Sequence, residues 1–85
     1  MITDLHTDEY WMKLALAEAE RALERDEVPV GALIVKEGKV IGRGGNCILT
    51  LRDPTAHAEI IAIGAAAETV GYERLLDATM YVTLE

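Results

Sequence analysis

The chain has 85 residues, 51% of them hydrophobic, with one Cys, two His and no Phe, and its 15 acidic against 8 basic side chains leave a formal charge of −7. This composition describes one small acidic domain, excludes an intramolecular disulfide framework and lacks the basic footprint that phosphate binders usually carry. No stretch approaches the roughly 18 apolar residues that span a bilayer, and no basic-then-apolar leader opens the chain, so a cytoplasmic protein without membrane contact is expected.

Nothing in residues 1–85 marks a repeat, a low-complexity tract or a linker, so the chain reads as one unit. Thr7 suits the cap of a first helix over residues 8–25. Asp8 and Glu9 stand in its first turn, and Met12, Ala15, Leu16, Ala19, Ala22 and Leu23 recur at three- and four-residue steps. From Val28 the composition turns β-rich. Residues 30–35 and 40–42 flank the polar turn Lys36-Glu37-Gly38-Lys39, the pattern of a hairpin with Gly38 at positive φ.

Gly44-Gly45-Asn46 opens an irregular stretch ending at Asp53-Pro54, which reads as an N-cap followed by the first helical position. The second helix that follows is apolar nearly all round and is expected to be buried. The last strand, from Thr79, places Met80, Val82 and Leu84 on one face and Thr79, Tyr81 and Thr83 on the other.

The order α-β-β-α-β predicts a sheet with helices against it. The last strand should lie beside the hairpin after a right-handed crossover through the second helix. Its apolar character with nothing beyond it to pair suggests part of a larger domain.

The chemistry concentrates in Asp53-Pro54-Thr55-Ala56-His57-Ala58-Glu59. Residues two apart on a helix point about 200° apart, so His57 and Glu59 converge only over the helix's N-terminal end, at the positive pole of its dipole. A neutral imidazole is a good Zn²⁺ ligand, and a carboxylate beside the metal can move protons, so the pair suits a hydrolytic metal site. Alone, the tripeptide reads more readily as a helix-end histidine and a first-turn acid.

Four separated segments change that balance: Val28-Pro29-Val30-Gly31-Ala32, Gly45-Asn46, Asp53 to Ile60, and Asp77 to Glu85. Together they resemble the zinc-dependent nucleobase deaminases and, within them, the bacterial tRNA adenosine deaminases. The Thr83-Leu84-Glu85 ending and Val-Pro-Val-Gly-Ala favour the tRNA enzymes. The resemblance implies a three-layer α/β/α cytidine-deaminase-like fold, of which this chain would be the incomplete N-terminal part. It implies His57 as a zinc ligand and Glu59 as the acid/base that activates water for attack on C6 of adenine and protonates the departing amine. Asn46 would bond the flipped base, Val28 would pack against it, and the Ala58 N–H would reach its edge. The expected partners are a tRNA anticodon stem-loop and a second copy of the chain.

The family's Pro-Cys-x-x-Cys zinc motif would begin just after Glu85, so the 85 residues alone are expected to be inactive. Alternatives are a guanine- or cytosine-type free-base or nucleotide deaminase, or a truncated non-catalytic module of this fold. Cys47 reads as an incidental or buried thiol, Tyr10 and Trp11 as packing anchors, and His6 as part of a frayed tail. Glu18, Glu20 and Glu24 read as a solvated face. Gly31 and Gly42 mark either a bulge or a close approach of backbone to a ligand.

Overall fold

A computed structural model describes residues 7–71, 75 and 77–83; the expectations placed on His6, Leu84 and Glu85 lie outside the described residues. Helix α1 spans Asp8–Glu24, strands β1 and β2 span Gly31–Lys36 and Lys39–Gly45, a short α2 covers Ile48–Leu51, α3 covers Ala58–Val70, and β3 covers Thr79–Val82.

Helix α1 begins where its cap signal stands, with the Thr7 side chain accepting a hydrogen bond from the Tyr10 N–H and Asp8 and Glu9 in the first turn. Its buried stripe is Trp11, Ala15, Glu18, Ala19 and Ala22, whereas Leu16 and Leu23 are exposed. The stripe is therefore rotated from the one expected, because small residues let the helix lie close to the sheet. Trp11 is buried and meets Tyr10 edge to face, while Tyr10 is partly exposed. Glu18 is buried instead of solvated: it pairs with Arg21 one turn on and lies 3.8 Å from Arg43 of β2, so guanidinium groups offset its loss of water. Glu20 and Glu24 are exposed as expected.

The hairpin turns through Glu37 and Gly38 at φ 52° and 75°, the two positive-φ positions of a type I′ connection. Pairing of β1 with β2 is antiparallel, with a register shift at Ile34/Val35 that leaves Ile41 as the extra residue. Strand β3 pairs antiparallel with the other side of β1, giving the order β2-β1-β3, and Thr83 extends this contact through its N–H to the Gly31 carbonyl. Among the described residues β3 thus lies at the edge of the sheet, and Met80 and Val82 are partly exposed on it.

Alternation along β1 assigns the two faces. Leu33 and Val35 pack with Trp11 and Ala15 of α1, while Ala32 and Ile34 pack with Ala58, Ala62 and Ala66 of α3. The helices therefore cover opposite faces, the α/β/α layering expected from sequence, with one added element, α2. That helix lay hidden in the stretch read as irregular because four residues carry no periodicity. α3 is not buried all round: its alanine face packs on the sheet, and Ile60 and Ile63 are exposed.

Gly31 and Gly42 mark close approaches, but to helices. A Cβ on Gly31 would stand 2.1 Å from the Ala15 carbonyl oxygen, and one on Gly42 would stand 2.3 Å from that of Ala62. No helix of the described residues is long and apolar enough to cross a membrane.

Candidate functional site

The site forms where the end of β2, the turn before β1 and the start of α3 meet. Asn46 follows the last residue of β2 and is buried; its N–H donates to the Val30 carbonyl at 3.1 Å. Its side-chain Oδ1 accepts the Ala58 N–H at 2.8 Å.

The start of α3 is not where Asp53-Pro54 suggested. Asp53 instead closes a local turn, its Oδ1 accepting the Thr55 N–H at 2.9 Å and the Thr55 hydroxyl at 2.7 Å. These bonds, the hydroxyl first, hold the Asp53 carboxyl below its ordinary pKa. The chain then passes through Ala56, and His57 becomes the N-cap of α3 with extended backbone angles. The His57 side chain makes no capping bond. Asn46 serves from just beyond the end of β2, satisfying the first unpaired N–H of the helix, and the imidazole stays exposed without a partner among the described residues.

Glu59 stands in the first turn of α3, half-buried and without a hydrogen bond among the described residues. His57, Ala58 and Glu59 thus occupy one helix end directly attached to Asn46. Val28 lies two residues before Val30, whose carbonyl holds Asn46, and its side chain is about half exposed. The structure brings Asn46 and Ala58 into direct contact and sets His57, Glu59 and Val28 beside them on bonded or adjoining segments. It also engages the Ala58 N–H with the Asn46 side-chain oxygen, so that N–H is already occupied.

His57 suits one corner of a zinc site, being an exposed imidazole with no hydrogen bond among the described residues. No group of three His, Cys, Asp or Glu that could hold a metal gathers among the described residues, so they do not by themselves fit a zinc ion. Cys47 turns away from that role, its thiol donating to the Gly45 carbonyl at 3.3 Å and receiving Arg25 at 3.4 Å.

Sequence reading missed Glu27. It is buried after α1, with Oε1 accepting the Leu49 N–H at 3.1 Å and Oε2 accepting the Thr50 N–H at 2.6 Å and the Thr50 hydroxyl at 2.7 Å. Its partners lie far along the chain, so no local pattern marks it.

Asn46→Ala removes the one acceptor among the described residues for the Ala58 N–H and lowers stability by about 1–3 kcal/mol in urea unfolding, with α3 retained in the far-ultraviolet spectrum. An unchanged midpoint would place the N–H on another acceptor.

Residues 5–85 match the family described as "Cytidine and deoxycytidylate deaminase zinc-binding region". The chain is 57% identical over 76 residues to a tRNA-specific adenosine deaminase of Agrobacterium fabrum, covering 89% of this chain and 50% of that one. It is 52% identical over 77 residues to the enzyme of the same name in Aquifex aeolicus, covering 91% and 51%. The chain therefore spans about half the length of the curated relatives it matches. A structure solved in work on A-to-I editing by tRNA:A34 deaminases at the wobble position superposes with a TM-score of 0.85 at 56% identity, covering 91% of this chain and 59% of that one.

Proposed function

The chain belongs to the zinc-binding cytidine and deoxycytidylate deaminase family, and from that premise we propose that it is the part of a tRNA-specific adenosine deaminase that seats the base and moves the proton. The observation that carries this reading is the Asn46–Ala58 hydrogen bond, which fixes the Asn46 amide to the helix end bearing His57 and Glu59. The similarity to tRNA-specific adenosine deaminases, at about half identity over most of the chain, supports the choice of substrate.

The wobble adenosine leaves its stack and enters beside Val28, whose exposed apolar surface packs on the purine. The Asn46 amide nitrogen donates to an acceptor on the purine, since its oxygen already holds Ala58. Water adds at C6; Glu59 takes its proton and delivers a proton to the departing amine, so adenosine and water give inosine and ammonia. His57 would be one ligand of a zinc ion whose other ligands lie outside the described residues, and that ion would supply Lewis acidity. The protein acts as a homodimer in the cytoplasm, where tRNA is found.

Incubating the purified full-length protein with an anticodon stem-loop carrying a wobble adenosine is expected to yield inosine. Turnover of free guanine with none of the stem-loop would replace this reading with a free-base deaminase.

A further inference from the structure

Two side chains of the turn between α1 and β1 reach across to the segment that begins with Asn46. Arg25 donates to the Asn46 carbonyl at 3.2 Å and to the Cys47 thiol at 3.4 Å. Two residues on, Glu27 receives the three donors of Leu49 and Thr50 that open α2. The same turn continues into Val28, so residues 25–28 hold the 46–50 segment from one side and border the proposed base pocket on the other.

We propose that Arg25 and Glu27 are positioning residues that latch the 46–50 segment, fix Asn46 against the start of α3 and so set the separation of Val28 and Asn46 that admits a purine. The proposal rests on the deaminase reading for its consequence in catalysis, but its structural half stands on the hydrogen bonds alone.

Chemistry favours a carboxylate at position 27. Three donors converge on two oxygens, and an ionised carboxylate is acceptor-only, whereas an amide would set N–H groups against N–H groups. The Thr50 hydroxyl, opposed by burial and helped by the Leu49 and Thr50 amides and the charge of Arg25, holds the Glu27 carboxyl below its ordinary pKa. The latch is therefore set at neutral pH. Its reach to Ala58 runs through two links, from α2 along the backbone to Asn46 and from Asn46 Oδ1 to the Ala58 N–H.

The test uses the full-length protein with Glu27→Ala, Glu27→Gln, Thr50→Val and, as a control on the exposed face of α1, Glu20→Ala. Hydrogen exchange is followed at the amides of Leu49, Thr50 and Ala58, together with KM and kcat on the adenosine stem-loop. Loss of the latch is expected to speed exchange about tenfold or more at Leu49 and Thr50, and also at Ala58, which Glu27 does not touch. It is expected to lower kcat/KM about tenfold, mainly through KM, with Glu20→Ala unchanged. Glu27→Gln should fall between wild type and Glu27→Ala.

Faster exchange at Leu49 and Thr50 with Ala58 and KM unmoved would overturn the proposal, leaving Glu27 only as a cap for α2. Should Glu27→Ala fail to fold, Thr50→Val removes just the hydroxyl donor, and unchanged Ala58 exchange there overturns the proposal equally. A wild-type protein that does not deaminate the stem-loop would sink the functional reading, and Ala58 exchange would still decide the latch.

Discussion

Replacing Glu59 with Gln is expected to lower inosine formation by about 10³-fold while leaving the unfolding midpoint nearly unchanged. The separation follows from where the side chain sits. Glu59 lies in the first turn of α3, half-buried, and holds no other described residue by a hydrogen bond. Gln keeps the volume and removes only the group that can accept and return a proton. The lost charge near the helix N-terminus costs about 0.3–1 kcal/mol, small against the stability of a folded domain. Single-turnover rates on the anticodon stem-loop, read beside thermal melts of the same samples, measure both effects. A Gln variant within tenfold of wild type would move the proton transfer to another group.

Gly42→Ala should be strongly destabilising for a single added methyl. Its added carbon would lie 2.3 Å from the Ala62 carbonyl oxygen and 2.6 Å from the Ala66 nitrogen, both backbone atoms of α3 that cannot swing aside. The helix must back away from β2, opening the layer that contains Ala32, Ile34 and the alanines of α3. A cost above about 3 kcal/mol is expected, enough to remove most of the stability of so small a domain. Gly64→Ala is the contrast: beyond its own turn of helix, no atom of the described residues lies within 4 Å of its new methyl, and relief of glycine's entropy in a helix should stabilise by about 0.5–1 kcal/mol. Urea titrations of the two variants should move in opposite directions. Equal shifts would show that contact with α3 does not decide what Gly42 tolerates.

The contrast between those glycines also shows what a sequence displays. Helix α1, the Gly38 turn and the alternation of β3 announce themselves because each is a local preference: a capping oxygen, a positive φ, a period of two. The layering follows, because the apolar pattern has to be buried on something. The start of α3 misleads because Asp53-Pro54 satisfies the grammar of a helix start while Asp53 bonds Thr55 and the true cap comes from Asn46, twelve residues before Ala58. Glu27 escapes notice for the same reason, since its partner Thr50 comes from another element, and Glu18 misleads because Arg43 of β2 joins Arg21 of its own helix in facing it. In the site, His57 and Glu59 are legible as neighbours in sequence, whereas the link between Asn46 and Ala58 exists only in three dimensions.

The placement of β3 outside β1 also orders assembly in time. β1 and β2 meet through a two-residue turn, and α3 follows β2 closely enough to dock on the hairpin while the rest of the chain is still searching. β3 must close a loop spanning α3 and the connection after it before it gains a single pair with β1. The hairpin with α3 is thus expected to form the nucleus and β3 to join late, an order that φ-values at Gly38 and Val82 would check. Weakening the turn at Gly38 will therefore slow folding, whereas weakening Met80 or Val82 will mainly hasten unfolding.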